Sequence, residues 1–385
     1  MSAPVAVSLF SGLGGLDLGA RIAGTEVAFA TDNDATALDH LSATQGTPTI
    51  EADIRNLDLK RVLREYVGGS QPDLLIGGPP CTAFSHAGFW LDSKRDGTDP
   101  AADLLGAYVD ALQTLRPRAF VMENVPGLLF KTHQRFYRSF INRVRRSGYS
   151  IDVAVLDSSD FSVAQARRRL FIVGVQSDLD KADLSATTQL ARRPTRWAIG
   201  DIAKSTAAEP DERPRGKHSH WIADIPPGEN YLALTRERGH MTGPFEYRSR
   251  YWSFLLKIHP DRPSPTIPAQ RVTYNGPFHW TDRHLRLREL ARLQGFPDWQ
   301  HLDSDLNTAR RHIGNAVPPL LAASVIRTVL MQSGIAADED LPKAWVDVAS
   351  NSKATFEEVC ETFPLKAGEA EHLSRELRST EGTGV

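Results

Sequence analysis

The stretch Ala6-Val-Ser-Leu-Phe10-Ser-Gly-Leu-Gly-Gly-Leu16 joins an apolar run to a glycine-rich loop and then to an amphipathic segment. A strand, a glycine turn and a helix in this order are typical of an α/β nucleotide-binding sheet, because glycines let a ligand approach backbone N–H groups. Similar strand patterns recur until about residue 175, and helix-length stretches follow each of the first five. The pattern predicts an α/β fold with a Rossmann-like, doubly wound, mostly parallel seven-stranded sheet.

The predicted strands and the rest of the chain divide into three parts. The strands lie near Ala6–Phe10, Val27–Thr31, Thr49–Ala52, Asp73–Ile76, Ala119–Met122, Ile151–Leu156 and Leu170–Val175. The last two are too close in sequence for a crossover helix, so we expect them to pair antiparallel. We predict that residues 1–184 and 283–335 form the main domain, residues 185–282 a smaller lobe without clear periodicity, and residues 336–385 an acidic tail or appendage.

Charge is distributed unevenly along the 385 residues, although the formal net charge is only -2. Residues 185–282 belong to an arginine-rich segment, whereas residues 336–385 carry eleven acidic and five basic residues. No apolar run reaches the roughly 18 residues of a membrane span, and no secretion signal precedes the first strand, so we expect a cytoplasmic protein. The only two cysteines, Cys81 and Cys360, predict neither a disulfide framework nor a metal site.

Cys81 follows the apolar run Leu74–Ile76 and the residues Gly77-Gly78-Pro79-Pro80. A free cysteine is more often a small buried hydrophobe than a nucleophile. This one, however, leaves a predicted strand across the sheet's switch point from the glycine-rich loop, where ligands bind in open α/β sheets. The position predicts a nucleophile that faces a cofactor, provided that its surroundings lower a thiol pKa of about 8.5.

Acidic residues after the second, third and fifth strands point into the same predicted crevice. Asp32, twenty residues after Gly12, is placed to accept hydrogen bonds from ribose hydroxyls, and Asp53 to meet an adenine amino group. Dinucleotides and S-adenosylmethionine share this arrangement, so these residues do not choose between them. Glu123 adds a carboxyl group that the turn Asn124-Val-Pro-Gly127 does not require.

Gln165-Ala-Arg167-Arg-Arg169 enters the last strand, and the two-residue period puts residues 165, 167 and 169 on one face. Two guanidinium groups on that face would favour anionic species beside Cys81 and Glu123. Gly314-Asn315-Ala-Val-Pro-Pro319 is a helix start with proline in its first turn. If it is functional, the C-terminal part must fold back onto the N-terminal sheet.

In this order, these motifs resemble those of the C5-cytosine DNA methyltransferases over about residues 4–333. Phe10–Gly15 is similar to the family's cofactor loop, Gly78–Cys81 to its nucleophile motif, Glu123–Val125 to its base-binding motif and Gln165–Arg169 to its Gln-x-Arg-x-Arg motif. Arg288–Pro297 and Gly314–Pro319 are similar to its last two blocks. The chain departs from the family at Thr82, where the usual residue is glutamine, and in the loop from His86 to Arg95.

The resemblance implies a DNA (cytosine-5) methyltransferase that uses S-adenosylmethionine, releases S-adenosylhomocysteine and needs no metal. Cys81 would add to C6 of a flipped cytosine, Glu123 would hold N3 and the exocyclic amine, and Arg167 and Arg169 would support the site. C5 would then attack the donor methyl group, before loss of the C5 proton and expulsion of Cys81. The implied cofactor residues are Phe10, Ser11, Gly12, Gly14, Asp32, Asn33, Asp53, Ile54, Pro79, Leu104 and Asn315.

Double-stranded DNA is the implied partner, and residues 185–282 are the implied target-recognition region. We expect DNA contacts at Ser85, Arg95, Arg248 and Arg250, a monomeric enzyme, and either a restriction-modification system with a separate endonuclease or a solitary bacterial methylase. The alternatives are a tRNA cytosine-5 methyltransferase, whose Cys-Phe-Thr tripeptide is absent, and a catalytically silent DNA-binding homologue, which the intact Cys81 and Glu123 argue against. A nicotinamide oxidoreductase would leave Cys81 and Glu123 without a role.

Overall fold

The computed structural model describes residues 2–80, 100–204, 212–248, 252–270 and 273–363. A seven-stranded sheet with the order β3-β2-β1-β4-β5-β7-β6 forms its centre. The strands are β1 (Val5–Leu9), β2 (Glu26–Asp32), β3 (Thr49–Glu51), β4 (Leu74–Gly77), β5 (Ala119–Asn124), β6 (Tyr149–Asp157) and β7 (Arg168–Gln176). β1 to β5 are parallel, whereas β7 pairs antiparallel with both β5 and β6. The predicted strands and the antiparallel final pair are confirmed.

Eleven helices accompany the sheet in the described part of the chain, and the first five follow the first five strands as predicted. They are α1 (Gly15–Ile22), α2 (Ala35–Gln45), α3 (Leu59–Val67), α4 (Pro100–Leu115), α5 (Gln134–Arg146), α6 (Thr195–Ile199), α7 (Leu287–Leu293), α8 (Leu306–Asn315), α9 (Pro319–Gln332), α10 (Ala344–Ser350) and α11 (Phe356–Glu361). Aspartates start several of them: Asp34 accepts a bond from Ala37 N at 3.2 Å, and Asp58 and Asp305 cap α3 and α8.

Both faces of the sheet are buried, because neighbouring residues of a strand point to opposite sides. Val7 and Leu9 of β1 join the cluster formed with α3, α4 and α5, whereas Ala6 joins the cluster formed with α1 and α9. A sheet covered by helices on both faces matches the near-continuous apolar runs of β4 and β5. The carboxyl ends of the parallel strands remain the open edge.

Helices α1 and α9 approach closely because α1 carries glycines on the facing side. A Cβ atom at Gly15 would lie 2.1 Å from the carbonyl oxygen of Val317, and one at Gly19 would lie 2.4 Å from the Cβ of Ala322. The backbone before α9 therefore rests directly on the helix that follows the glycine-rich loop. This contact brings the motif around Asn315 back to the N-terminal sheet, as the sequence required.

Replacing Gly15 with alanine is expected to destabilise the protein by about 2–3 kcal/mol, because backbone atoms block the added methyl group and the helices must separate. Urea unfolding measures the change. Gly106→Ala is the matched control, since its Cβ would meet only the Arg143 side chain, at 3.5 Å, and alanine favours a helix interior. A Gly15→Ala variant as stable as the wild type would contradict the packing.

Residues 212–248, 252–270 and 273–282 form a lobe with a core of its own. Ile222, Ile225, Tyr231, Leu234, Leu255 and Phe278 are its buried residues. Edge-to-face ring contacts connect Phe254 with Tyr231, Phe245 and Tyr274 at centroid distances of 5.5–5.8 Å. Short 3-10 turns and isolated bridges replace regular strands here. A separate lobe was predicted on composition, and its role in target recognition stays a prediction.

Part of the predicted acidic tail is packed against the main domain. Trp345 of α10 and Phe356 and Val359 of α11 are buried in the same cluster as α7 and α8. The buried Arg193 guanidinium donates to the carbonyl oxygens of Ala349 and Asn351 at 3.1 and 2.8 Å. Residues up to 363 therefore form an appendage, and residues 364–385 lie outside the described chain.

The segment Leu306–Gln332 is long and apolar enough to cross a membrane by composition alone. In the fold it consists of α8 and α9, and 89% of its most apolar window is buried inside the protein. Its apolar residues, such as Leu321 and Val325, pack against the sheet. The segment is therefore a core element.

Candidate active site

A cavity of about 420 Å³ lies at the carboxyl ends of β1, β2, β4 and β5, which is where open α/β sheets bind ligands. This volume falls within the range of small-molecule sites. The predicted site residues that line it are Phe10, Ser11, Gly12, Asp32, Asn33, Asp53, Ile54, Pro79, Leu104, Glu123, Arg167, Arg169 and Asn315. Residues separated by as many as 305 positions thus meet at one edge of the sheet.

The glycine-rich loop turns sharply between β1 and α1. Phe10 and Gly12 both have positive φ angles, 55° and 52°, and the Gly12 N–H donates to the Asp32 carboxylate at 2.8 Å. Gly14 is not among the residues that line the cavity. Its φ of 80° starts α1, and a Cβ there would lie 2.7 Å from Leu41 Cγ. Gly14 therefore serves the turn and the packing of α2 rather than the cavity wall.

Asp32 ends β2 with its carboxylate held by backbone groups. Its oxygens accept bonds from Gly12 N at 2.8 Å and Asp34 N at 3.0 Å. Burial raises the pKa of Asp32, while these N–H groups oppose the shift. Each oxygen keeps a lone pair, since a carboxylate oxygen accepts more than one hydrogen bond. The group is therefore oriented to receive two hydroxyl donors from the cavity.

Asp53 lines the cavity, but its carboxylate is already paired. Arg55 Nε lies 2.9 and 3.1 Å from the two oxygens, and this contact lowers the pKa of Asp53 to about 2. The neighbouring Ile54 is buried, and Leu104 of α4 is half-buried. An apolar wall beside a fixed carboxylate suits a flat heterocycle that carries an amino group. The predicted contact of Asp53 with adenine stays a prediction.

Gly78, Pro79 and Pro80 follow β4 and reach the cavity from the side opposite the glycine-rich loop. The buried Asn124 donates through Nδ2 to the Pro79 carbonyl at 3.2 Å and accepts the Val125 N–H at 2.9 Å. Asn124 therefore ties the backbone two residues before Cys81 to the end of β5. Cys81, Ser85 and Arg95 themselves lie outside the described residues.

Glu123 and Arg169 form the ion pair at the base of the cavity. Arg169 Nε lies 2.8 Å from Glu123 Oε1, and Glu123 is 8% exposed. A Cβ at Gly78 would lie 3.2 Å from Glu123 Oε2, so only glycine lets the cysteine-bearing backbone approach this acid without displacement. Burial raises the pKa of Glu123, and the positive charges of Arg169 and Arg167 oppose the shift.

Arg167 occupies a different position from Arg169. Its buried guanidinium donates to the carbonyl oxygens of Ile267 at 3.2 Å and Gly314 at 2.5 Å. Gln165 accepts the Ile267 N–H at 2.9 Å and contacts Gln294. The predicted alternation is confirmed, because residues 165 and 167 are buried and Arg168 is exposed. Arg167 connects β7, the end of the lobe and the turn before Asn315.

The structure adds a contact at the cavity rim that sequence reasoning missed. Asp34 accepts bonds from Arg311 at 2.6 Å and from His312 Nε2 at 3.1 Å, and all three residues line the cavity. These two contacts join the start of α2 to the end of α8, where His312 lies three residues before Asn315. Only the basic run Arg310-Arg311-His312 before the glycine-asparagine motif could have indicated it.

Asp17 lies beneath the glycine-rich loop as a fully buried acid. Neither carboxyl oxygen has a hydrogen-bond partner of normal geometry within the described part of the chain. Burial raises the pKa of Asp17 from 3.8 to about 7, although Ser8 and Arg21 favour the ionised form. Because the folded pKa is raised, its stabilising contribution is complete below pH 3.8 and disappears as the pH rises through 7.

Asp17→Asn is therefore expected to remove a pH-dependent loss of stability. The wild type should lose about 2–3 kcal/mol through this group between pH 5 and pH 8, and the variant should keep that stability. Urea unfolding of both proteins at pH 5 and pH 8 measures the difference. Asp39→Asn is the control, because Asp39 on α2 is exposed. Equal pH dependence in wild type and Asp17→Asn would contradict the assignment.

Two further predictions concern residues outside the cavity. Arg248 is exposed, and its backbone N–H and carbonyl bond to the Tyr231 hydroxyl at 2.9 and 2.7 Å, whereas Arg250 lies outside the described residues.

Cys360 packs against the cluster of α7 and α11, and burial raises its pKa well above the ordinary thiol value. A thiol of this kind is a poor nucleophile. The role of Cys81 as the nucleophile stays a prediction.

Residues 5–331 match the family of C-5 cytosine-specific DNA methylases. The chain is 37% identical to the Type II methyltransferase M.SacI of Streptomyces achromogenes, over 85% of this chain and 93% of that protein. It is 30% identical to the Type II methyltransferase M.FnuDI of Fusobacterium nucleatum, over 84% and 93%.

Solved structures share the fold. A DNA modification methyltransferase encoded within an E. coli prophage has a TM-score of 0.62 at 23% identity, covering 86% of this chain and 99% of that one. EhMeth of Entamoeba histolytica has a TM-score of 0.58 at 15% identity, covering 86% and 98%. The family match and the sequence identities show that this chain, a DNA (cytosine-5) methyltransferase, belongs to the C-5 cytosine-specific DNA methylase family.

Proposed function

We propose that this enzyme transfers a methyl group from S-adenosylmethionine to C5 of a cytosine that is flipped out of duplex DNA, through covalent addition of Cys81 to C6. One observation carries the proposal. The Glu123–Arg169 pair lies against Gly78 in the same cavity as the glycine-rich loop and Asp32. The backbone that leads to Cys81 and a carboxyl group thus meet next to a nucleotide-type pocket.

The cavity fits the methyl donor in the chemistry of its lining. Asp32 offers two oriented acceptor oxygens for ribose hydroxyls, and Ile54 and Leu104 offer an apolar wall for an adenine ring. Asp34, Asp53 and Glu123 also line the cavity, and each is paired with an arginine, so its charged lining is balanced. When bound, S-adenosylmethionine supplies a methyl group on a positively charged sulfur, which makes that methyl electrophilic.

Cytosine C5 is a poor nucleophile until a group adds at C6, so covalent addition is the role of Cys81. The thiolate forms the S–C6 bond, and the displaced electron pair makes C5 nucleophilic. Glu123 holds N3 and the exocyclic amine, and Arg169 orients Glu123. After methylation, a base accepts the C5 proton, the S–C6 bond breaks and the thiolate leaves with its electron pair.

The target base must leave the stack, because its C6 is not accessible to Cys81 inside a duplex. Extrusion costs a few kcal/mol of lost pairing and stacking, which contacts to DNA phosphates offset. The lobe at residues 212–282 supplies target recognition in this proposal, with Arg248 at its surface. The role of Arg167 is to hold the segment around Ile267 against the turn before Asn315.

The Type II names of the relatives support a restriction-modification context, in which a separate endonuclease cuts the same unmethylated sequence. We propose this context, a monomeric enzyme and action on chromosomal DNA in the bacterial cytoplasm. Activity on duplex DNA requires no partner chain in this scheme.

Bisulfite sequencing tests the function and reveals the target. The chain is expressed in a bacterial strain that lacks C5 methylation, next to a Cys81→Ser strain as the control. We expect fully protected cytosines in one short sequence context with the wild type and none with the variant. Uniform conversion of genomic cytosines, with methylation found in tRNA instead, would reject DNA as the substrate.

A further inference from the structure

A one-sided basic surface lies outside both the cavity and the lobe. Residues 125–151 contain six Lys or Arg and no Asp or Glu, in a chain whose formal net charge is -2. They include Lys131–His133, a 3-10 turn, and helix α5. Lys131, Arg135 and Arg138 are exposed; Arg135 and Arg138, three residues apart, lie on one side of α5, and Lys131 precedes them in the 3-10 turn.

The opposite side of α5 is apolar and packs in the core, so the helix does not need these charges to fold. Phe140, Ile141 and Val144 are buried against the sheet with α4. Within the described chain, Lys131, Arg135 and Arg138 form no ion pair, whereas Arg143 pairs with Asp110 at 2.6 Å. Arg135 lies 4.8 Å from the centroid of the adjacent Phe136 ring, a contact that leaves its N–H donors available.

Positive charges lie at both ends of α5, and the helix dipole favours those at one end only. Arg143, Arg145 and Arg146 lie in the last turn, where positive charge stabilises a helix. Lys131 and Arg135 lie at the start, where positive charge is unfavourable and acidic residues are usual, yet the first turn has none. Helix stability therefore accounts for the C-terminal arginines and not for the N-terminal cations.

The N-terminal cations lie at the edge of the crevice, because α5 returns from the carboxyl end of β5. Val125 lines the cavity, and Lys131 follows it by six positions, a span of at most roughly 20 Å. Arg138 lies about 4.5 Å further along the axis of α5 than Arg135, and Lys131 lies in the turn before the helix. A duplex carries a phosphate every ~3.4 Å along each strand, so DNA with its target base in the cavity extends across this distance.

We propose that Lys131, Arg135 and Arg138, here called the α5 basic face, bind backbone phosphates of the DNA beside the target site, independently of its sequence. The inference goes beyond the proposed function, since it assigns a second DNA surface on the main domain, on the β5 side of the cavity. Phosphate contacts position a duplex and carry no base information. The α5 basic face therefore adds affinity and orientation without affecting target choice.

Salt-dependent binding tests the proposal with two variants that remove the same charge from opposite ends of the segment formed by α5 and the turn before it. Lys131→Gln/Arg135→Gln alters the α5 basic face, and Arg145→Gln/Arg146→Gln alters exposed arginines of the last turn. Binding of a 30-base-pair duplex of arbitrary sequence is followed by fluorescence anisotropy from 50 to 200 mM NaCl. The first variant should reduce the magnitude of the negative slope of log K against log [salt] by about 1.8. The triple variant that also carries Arg138→Gln should reduce it by about 2.7 relative to the wild type.

The control variant should keep the wild-type slope, and all variants should melt within about 5 °C of the wild type, as the dipole effect on helix stability requires, and keep its affinity for S-adenosylmethionine. At 100 mM salt, we expect about tenfold weaker DNA binding by the face variant or more. Equal slopes for the face variant and the wild type, or an equal loss in both double variants, would overturn the inference. Because methylation by the wild type is measured separately, that result would leave the proposed function intact.

Discussion

Cys81→Ser is expected to reduce methyl transfer to duplex DNA by at least about 10³-fold, because a serine hydroxyl does not ionise near neutral pH and cannot add to C6. The structure supports this expectation through the position of Gly78–Pro80 opposite the glycine-rich loop and through the bond from Asn124 to Pro79. Incorporation of a radiolabelled methyl group into DNA measures the loss. Binding of the same DNA should persist, since the substitution removes one sulfur atom and no charge contact.

Covalent trapping provides an independent test of the same nucleophile. A duplex with 5-fluorocytosine at the target cannot lose a proton from C5, so the enzyme should remain attached through Cys81 after methylation. Peptide mapping locates the adduct. Attachment at Cys360 would refute the mechanism, and so would turnover by Cys81→Ser within tenfold of the wild type. The half-buried Cys360, whose pKa is raised by burial, is the internal control.

Glu123→Gln is expected to lower kcat by about 10²–10³-fold, since the amide cannot supply the proton that a carboxyl group shares with N3. The side chain keeps its size beside Gly78, so the effect isolates chemistry from packing. Burial raises the pKa of Glu123, and the protonated form therefore persists to a higher pH than in a free glutamic acid. The kcat of the wild type should fall as the pH rises through the pKa of Glu123, and the pH profile of the variant should lack that decrease.

Arg169→Gln and the double variant complete the test as a cycle. If Arg169 acts by holding Glu123 at 2.8 Å, its removal should change kcat little once Glu123 is replaced. Affinity for S-adenosylmethionine should be the same in all three variants, since neither residue holds the ribose. Additive effects of the two substitutions on kcat would contradict a role for the pair as a unit. A kcat of Glu123→Gln within threefold of the wild type would remove Glu123 from the mechanism.

Features of the fold that depend on short stretches of sequence were predictable, whereas contacts between distant segments were not. The strands from β1 to β7 were predictable because their apolar periodicity lies within each segment, and the short β6–β7 connection required antiparallel pairing. The cavity edge was predictable for Phe10, Asp32 and Glu123, since carboxyl ends of parallel strands meet at one edge. Sequence reasoning was less informative for Gly14, which packs against Leu41 rather than lining the cavity.

By itself, the sequence determined the fold class, the order of the motifs and the family, because each depends on short stretches with their own periodicity or spacing. Only the tertiary structure decided which arginine pairs with Glu123, since Arg167 and Arg169 lie on the same predicted face yet bond to different partners. It alone joined Asp34 to His312, 278 positions away. Such contacts depend on how strands and helices that are distant in sequence pack together, and no local pattern encodes that packing.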